Sequence, residues 1–307
     1  MKEIFDIIII GGGPAGLTAG IYSARAKKKT LILNEGTLGG QMVLSYEIAN
    51  YPGVQNIAGY QLGSIMKKQA KSFGCVIKSN ITISKLDISN DTKTIKTSDG
   101  NIYEAKSVIL ALGGKARTLN VEGENEFKGK GISFCATCDG DFFQDKDIIV
   151  VGGGNSALEE AVSLTQYASS VTIVHEFDYF QASDIAIKEA KENKKISFIM
   201  ESTISGFFGD SQLNRVNIKN LKTGEIYEKN IDGVFIFIGY VPNTDICKDK
   251  VDLLDSGEII VDEKFQTNLK GVFAAGDSIP KRFKQITTAV ADGTNAALFA
   301  TEYLNSL

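Results

Sequence analysis

The sequence predicts an α/β fold with two domains, and three observations lead to this prediction. The chain has 307 residues, which is more than one hydrophobic core usually supports. Its composition, 43% hydrophobic and 23% charged, is typical of a globular protein. The third observation is an internal repeat in which an apolar run leads into glycines. The first such run, Ile7–Ile10, is too short to span a membrane and does not resemble an export signal, so we expect a cytoplasmic protein without a membrane partner.

The repeat consists of two copies of a βαβ unit. Asp6–Gly13 reads DIIIIGGG and recurs as Asp147–Gly154, which reads DIIVVGGG. Further along, Leu31–Glu35 matches Thr172–Glu176. Each copy predicts a buried strand, a glycine turn, an amphipathic helix and a second strand, as at the start of a Rossmann unit. A single G-x-G-x-x-G also fits an ordinary tight turn, but two copies in the same register indicate two dinucleotide-binding modules.

The first copy is predicted to bind a dinucleotide through Gly11, Gly13, Pro14, Ala15 and Gly16. The first glycine permits the tight turn, the second lets the backbone approach a pyrophosphate, and the third lets the helix pack close to the strand. The positive end of that helix then faces the phosphates. Asn34 or Glu35 ends the following strand, where a side chain can bond a ribose hydroxyl.

A pair of cysteines lies between the two fingerprints, in Cys135-Ala136-Thr137-Cys138-Asp139. A C-x-x-C pair holds two sulfurs close enough to open and close a disulfide, and Asp139 can carry a proton for the departing thiolate. A zinc site would need a second ligand pair, whereas the chain adds only Cys75, Cys247 and His175, far apart in sequence. We therefore predict redox catalysis and no metal, with Cys75 and Cys247 acting as small hydrophobic residues and His175 in a structural or surface role.

These motifs resemble the low-molecular-weight thioredoxin reductases along almost the whole chain. The resemblance also includes Gly39-Gly40-Gln41, Asn50-Tyr51-Pro52-Gly53 and the segment from Thr267 to Gly276-Asp277. It implies that the first module binds FAD in a discontinuous domain, 1–114 and 245–307. The second module, 115–244, would be inserted into the first and carry the cysteines, with two crossover strands as a hinge.

The resemblance assigns further residues to the flavin. Asp277 would bond the ribityl chain, and Lys284-Gln285-Ile286 would lie along the isoalloxazine. Gln41 and Asn50 would flank the ring, and Gly40, Gly113 and Gly276 would lie at the cofactor. Leu112, beside Gly113, replaces the threonine that is usual in the family, which affects one polar contact.

The resemblance implies a thioredoxin-disulfide reductase. Reduced FAD would pass an electron pair to the disulfide at Cys138, and Cys135 would then attack thioredoxin, forming a mixed disulfide that Cys138 resolves. Phe142 and Phe143 follow the pair and suit either the core or a docking surface for thioredoxin. We expect a homodimer and, from the net charge of −4, no nucleic-acid partner.

One departure from the family concerns the electron donor. NADPH-using members carry His-Arg-Arg after the second strand of the inserted module, and a further arginine, which together grip the 2′-phosphate. This chain reads His175-Glu176-Phe177-Asp178-Tyr179-Phe180-Gln181-Ala182, with no arginine, and Glu176 places a negative charge where the phosphate would lie. We therefore expect a donor other than NADPH.

Two donors remain open, and reduced ferredoxin is favoured. A branch of the family has lost the arginines and takes electrons from ferredoxin, an acidic partner that Lys27–Lys29 or Lys67, Lys68 and Lys71 could guide. Alternatively, Glu176 could bind the ribose hydroxyls of NADH, since the fingerprint Gly152–Ala157 tolerates its final alanine. The protein would then be an NADH-dependent thioredoxin or peroxiredoxin-type reductase. The same scaffold also serves as a flavin-dependent dithiol oxidase that uses oxygen.

Overall fold

The computed structural model describes residues 2–45 and 47–307, and the chain divides into two compact units. Unit 1 contains the residues up to Lys115 together with Val241–Leu307, and unit 2 contains Ala116–Tyr240. The second unit is thus inserted into the first. The flavin and pyridine-nucleotide roles that the sequence assigns to 1–114, 245–307 and 115–244 stay predictions.

The secondary structure alternates strands and helices in both units. The strands are β1 (Lys2–Ile4), β2 (Ile7–Ile10), β3 (Thr30–Asn34), β4 (Val76–Ser79), β5 (Ile83–Asp87), β6 (Lys93–Thr97), β7 (Ile102–Ala105), β8 (Ser107–Leu110), β9 (Gly114–Ala116), β10 (Ile132–Ser133), β11 (Asp147–Val151), β12 (Ser170–Val174), β13 (Ile196–Ile199), β14 (Ser202–Gly209), β15 (Leu213–Asn220), β16 (Ile226–Asn230), β17 (Gly233–Ile236), β18 (Tyr240–Pro242) and β19 (Val272–Ala274). The α-helices are α1 (Pro14–Arg25), α2 (Gly59–Ser72), α3 (Glu124–Phe127), α4 (Ala136–Asp139), α5 (Asn155–Leu164), α6 (Asp184–Glu192) and α7 (Ile286–Asn305), and 3₁₀ turns cover Gly40–Leu44, Gly140–Phe143, Asp245–Cys247 and Gly276–Ser278.

Unit 1 is built on a parallel sheet in the order β19-β8-β2-β3-β4. The central strand β2 is buried along its whole length, as expected for a β-branched strand covered on both faces. The strand order reverses beside β2, and the carboxyl end of that strand leads directly into the first glycine fingerprint. In α/β sheets this is the position where ligands bind.

The helices of unit 1 bring two distant parts of the chain together. Helix α1 begins with Pro14 at its first turn, a position where proline needs no amide hydrogen. Helix α7, near the end of the chain, packs against α1 so closely that a Cβ at Gly293 would lie 2.1 Å from the Ala15 carbonyl oxygen. A second sheet, β1-β7-β6-β5, covers a separate hydrophobic cluster.

Unit 2 repeats the arrangement with its own parallel sheet, in the order β10-β17-β11-β12-β13. Strand β11 takes the central place and ends at the second fingerprint, which α5 follows. An antiparallel sheet, β14-β15-β16, completes the unit. The α/β class predicted from the sequence is confirmed. Within the described residues, none of the helices combines the length and apolar character needed to cross a bilayer.

Candidate active site

Cys135 and Cys138 form a disulfide in unit 2, as the C-x-x-C spacing predicts. Their Cα atoms lie 5.3 Å apart, within the range that a disulfide requires. Cys135 caps the short helix α4, and its carbonyl oxygen accepts hydrogen bonds from the amides of Cys138, at 3.3 Å, and Asp139, at 3.2 Å. Both cysteines are half-buried, while Thr137 between them is exposed. The turn therefore presents the disulfide near the surface of the unit.

Asp139 is held beside this turn by Ser133, which the sequence reasoning did not single out. The Ser133 hydroxyl donates to Oδ2 of Asp139 at 2.6 Å, and the hydroxyl oxygen itself accepts the Cys135 amide at 3.1 Å. Burial raises the pKa of Asp139 above its usual range, while the Ser133 hydrogen bond acts to lower it and the nearby Asp141 to raise it. A carboxyl group with a raised pKa can hold a proton close to the sulfurs.

The two phenylalanines after the redox pair have different surroundings. Phe143 is 8% exposed and packs edge-on against Phe235, 5.0 Å between ring centroids. Phe142 is 43% exposed. Of the two roles that the sequence allows, Phe143 therefore has the core role, and Phe142 alone remains available for docking.

The first fingerprint, in unit 1, is a tight turn that leaves no room for a side chain at Gly11 or Gly16. Gly11 has φ of +106°, and a Cβ there would lie 2.1 Å from the Ala111 carbonyl oxygen. A Cβ at Gly16 would lie 1.9 Å from the Gly11 carbonyl oxygen. Gly13 caps α1 with extended backbone, so the amides of the first helical turn point towards the loop. This cradle of bare backbone is suited to a pyrophosphate.

Other segments of unit 1 meet the fingerprint where the sequence predicts cofactor contacts. The Gly39 amide donates to the Gly12 carbonyl oxygen at 2.8 Å, and a Cβ at Gly40 would lie 3.1 Å from Cα of Gly13. A Cβ at Gly276 would lie 2.8 Å from Cβ of Ala15. Three separate glycine segments thus surround one space, which side chains at the glycine positions would occupy. The residues present fit the dinucleotide FAD.

The two candidates for the ribose differ in their availability. Asn34 is 7% exposed, and its Oδ1 accepts the Gly12 amide at 2.8 Å while its Nδ2 donates to the Gly36 carbonyl oxygen at 2.9 Å. Its amide group therefore shapes the loop. Glu35, the next residue, is exposed directly after β3, where a ribose hydroxyl could reach it. Of the pair, Glu35 is better placed for that contact.

The remaining predicted flavin contacts lie on loops and turns of unit 1. Gln41 and Asn50 are exposed, and Gly113 has a positive φ in a spot where a Cβ would meet open space among the described residues. Lys284 and Gln285 are half-buried immediately before α7, whose first residue is Ile286. Nζ of Lys284 lies 3.4 Å from Oε1 of Glu258 and 3.5 Å from the Asp277 carbonyl oxygen. The structure thus keeps Lys284 beside Asp277.

The second fingerprint, in unit 2, is covered by the loop 176–182. A Cβ at Gly153 would lie 2.4 Å from atoms of the His175 imidazole, so this ring occupies the space beside the glycine. The imidazole also stacks on Phe180. The Gln181 amide donates to the Gly153 carbonyl oxygen at 2.8 Å. Nε2 of His175 lies 3.0 Å from the Tyr179 carbonyl oxygen, which can only accept, so Nε2 carries the proton. His175 is buried and its pKa is lowered by that burial, so of its two predicted roles the structural one fits.

The cysteines outside the redox pair are free and buried. Cys75 and Cys247 are buried in separate hydrophobic clusters of unit 1. Burial raises the pKa of each thiol to about 12. Their predicted role as small hydrophobic residues is confirmed. The described residues contain no group of three or more His, Cys, Asp or Glu side chains arranged to hold a metal ion.

Comparison with known proteins identifies relatives over the full length. The model of a family described as pyridine nucleotide-disulphide oxidoreductase matches residues 5–293. A thioredoxin reductase of Peptoclostridium acidaminophilum is 44% identical, with 100% of this chain and 99% of that protein covered. A thioredoxin reductase structure from Streptococcus pyogenes is 40% identical with a TM-score of 0.94, and both chains are covered completely. A ferredoxin-flavin thioredoxin reductase structure from Clostridium acetobutylicum is 29% identical with a TM-score of 0.54, again over both whole chains.

Proposed function

Because the chain belongs to the pyridine nucleotide-disulphide oxidoreductase family and is an FAD-dependent thioredoxin-disulfide reductase, we propose that its electron donor is reduced ferredoxin and not NADPH. One feature of unit 2 argues against NADPH. The loop 176–182 lies against the second fingerprint, and it carries Glu176 and three aromatic residues but no arginine. A 2′-phosphate would meet a negative charge there without a guanidinium to bind it.

The sulfur chemistry follows from the redox pair. FAD, when bound, supplies the electron pair that reduces the Cys135–Cys138 disulfide. Reduction breaks the S–S bond and creates two thiols, and Asp139 can hold or supply one of the two protons that they need. The Cys135 thiolate then attacks the thioredoxin disulfide, and one thioredoxin sulfur leaves as a thiolate. Cys138 attacks the sulfur of Cys135, which restores the disulfide and releases the second thioredoxin thiol.

Ferredoxin is a competent reductant for this reaction. Two reduced ferredoxins near −400 mV deliver the two electrons, and thioredoxin near −270 mV accepts them, so the transfer is downhill by about 6 kcal/mol. The exposed basic residues of unit 1, among them Lys27 and Lys29, offer an attractive surface to an acidic carrier. The relative from Clostridium acetobutylicum carries the name ferredoxin-flavin thioredoxin reductase.

NADH is the second candidate, and Glu176 is the residue that favours it. Its side chain is exposed just beyond β12, where an acidic residue of a Rossmann unit binds ribose hydroxyls. The fingerprint Gly152–Ala157 also keeps the tight turn at Gly152, whose φ is +135°. An NADH-dependent enzyme would have the same sulfur chemistry and a different donor.

The donor is tested by following the flavin absorbance without oxygen after mixing with reduced ferredoxin, NADH or NADPH. We expect rapid bleaching by ferredoxin, at a rate that falls as salt is added, and slow bleaching by NADPH. Efficient reduction by NADH with none by ferredoxin would make Glu176 a ribose ligand. Efficient reduction by micromolar NADPH would contradict both proposals.

Two further properties are checked with the same preparation. A dithiol oxidase would consume oxygen with small dithiols, whereas we expect turnover with thioredoxin under anaerobic conditions. We also propose a homodimer, which light scattering would show as twice the mass of one chain.

A further inference from the structure

One carboxylate joins three segments that form the flavin site in unit 1. Oδ2 of Asp292, on α7, accepts the Gly276 amide at 3.2 Å and is also paired with Nζ of Lys281. Gly276 begins the turn that carries Asp277, and Lys281 belongs to the segment that leads to Lys284. None of the sequence motifs singles out Asp292 or Lys281.

The position of this carboxylate is fixed by tight packing. Gly293, the next residue, has room for no side chain, because a Cβ there would lie 2.1 Å from the Ala15 carbonyl oxygen. Gly276 is also close to Ala15, since a Cβ there would lie 2.8 Å from the Ala15 Cβ. Helix α7, the turn at Gly276 and the first turn of α1 therefore meet at Ala15, within the fingerprint.

The ion pair is largely shielded from solvent. The side chains of Lys281 and Asp292 are 12% and 16% exposed. At such exposure, salt screens the pair weakly, and removal of one partner leaves the other charge poorly compensated. The Gly276 amide would also lose its acceptor, which matters because Gly276 has φ of +78° and lies in a 3₁₀ turn of only three residues.

We propose that Asp292 and Lys281 are positioning residues for the flavin. Asp292 ties the turn at Gly276-Asp277 to α7, and Lys281 pairs with the carboxylate and orients it, so that the turn is already in place when FAD binds. Preorganisation of this kind reduces the ordering that binding would otherwise require. The inference concerns flavin retention alone, so it holds whichever electron donor proves correct.

The test measures the release of FAD from the full-length holoenzyme by the rise in free-flavin fluorescence after dilution. The variants are Asp292→Ala, Asp292→Asn, Lys281→Gln and Lys281→Arg, and the thermal unfolding of each is recorded separately. We expect release about tenfold faster or more in Asp292→Ala and several-fold faster in Asp292→Asn and Lys281→Gln. Lys281→Arg, which keeps the charge, should remain close to the parent protein.

The control is Glu192→Gln, which removes the exposed pair with Lys188 on α6, where the side chains are 67% and 72% exposed. Its release rate should not change. FAD release within twofold of the parent in folded Asp292→Ala and Lys281→Gln would overturn the proposal, even if their unfolding temperatures fell, because the pair would then only stabilise the fold. If Asp292→Ala does not fold, Lys281→Gln decides alone.

Discussion

At the scale of single residues, Asp139 illustrates how burial and one hydrogen bond act in opposite directions. Burial favours the neutral carboxylic acid and raises the pKa, whereas the Ser133 hydroxyl stabilises the carboxylate and lowers it. Burial prevails, so the folded pKa exceeds that of the unfolded chain. Protonation of Asp139 therefore stabilises the fold at low pH, and this contribution is lost as the pH rises through the raised pKa.

Replacement of Ser133 by alanine should raise the pKa of Asp139 further, because the bond that favours the carboxylate is removed. The protonated carboxyl band, identified in infrared difference spectra against an Asp139→Asn variant, should then persist to a higher pH. If Asp139 supplies the proton, the alkaline decline in the rate of thioredoxin reduction should also move to a higher pH.

Ser169→Ala is the matched control, because Ser169 donates to Oδ1 of Asp147 at 2.7 Å in the same unit. This substitution also removes a serine hydroxyl that donates to an aspartate, but it should leave the Asp139 band unchanged. A Ser133→Ala variant whose Asp139 titrates at the same or a lower pH would show that the hydroxyl does not control this carboxyl group.

Individual contacts were harder to predict from the sequence than the residues that make up the motifs. The cysteine pair and the fingerprint glycines follow from spacing, since the C-x-x-C turn and the glycine turn are local. Asn34 is a sequence candidate for the ribose, yet its side-chain amide is hydrogen-bonded to the backbone of Gly12 and Gly36. Ser133 was missed because its bond to Asp139 depends on how β10 leads into the turn at α4, which no short pattern records.

At the scale of elements, the loop 176–182 lies against the second fingerprint of unit 2. Its rings form a series connected through His175, which contacts Phe177 at 5.4 Å and Phe180 at 5.7 Å between ring centroids. Phe177 in turn stacks on Tyr179 at 5.5 Å, and Phe180 is edge-on to Phe198 at 5.6 Å. Phe177 and Tyr179 remain 37% and 58% exposed, so the series extends from the core of the unit to its surface. A change of charge in this loop should alter nucleotide preference without unfolding the unit.

The double substitution Glu176→Arg with Phe177→Arg should create affinity for 2′-phosphorylated nucleotides. It replaces the repelling carboxylate by two guanidinium groups, which bind phosphate with bidentate geometry. Titration calorimetry with 2′,5′-ADP should show binding about tenfold tighter or more than in the parent protein, while binding of 5′-AMP changes little.

The control carries Glu225→Arg with Tyr227→Arg, two exposed residues at the start of β16. It adds the same charge to unit 2 but not at the second fingerprint, so 2′,5′-ADP should bind as to the parent. Equal gains in both double variants would mean that net charge, and not the loop, governs nucleotide binding.

The internal repeat predicted the central strands of the two parallel sheets well, because a run of four buried β-branched residues followed by glycines is compatible with few other structures. Helix α4 starts at the cysteine motif, ends after four residues at Asp139 and is followed by a 3₁₀ turn. The antiparallel sheet β14-β15-β16 had no clear signal, because its pairing depends on contacts between segments and not on a local pattern.

At the scale of the whole molecule, the chain crosses between its units twice, at Lys115–Ala116 and at Tyr240–Val241. The predicted flavin residues belong to unit 1 and the redox pair to unit 2. The flavin and pyridine-nucleotide roles of the two units, and rotation of the units about the crossings, stay predictions.

Thiol labelling of the native protein should report its redox state. Under oxidising conditions iodoacetamide should add nothing, because Cys135 and Cys138 are joined and the other two thiols are buried. After reduction, mass spectrometry should find two labels per chain, on Cys135 and Cys138, since thiolates are the reactive form. Labelling of Cys75 or Cys247 in the folded protein would show that their burial does not protect them.

The burial of Cys75 and Cys247 also has a consequence for repeated turnover. In an enzyme that forms and breaks disulfides, any additional reactive thiol of the same chain can exchange with the catalytic disulfide. Such exchange produces isomers with the wrong cysteines paired. With the thiol pKa of both residues raised to about 12, such exchange is slow at neutral pH. Of the four cysteines, we therefore expect only Cys135 and Cys138 to exchange, so that each catalytic cycle returns the chain to the same covalent state.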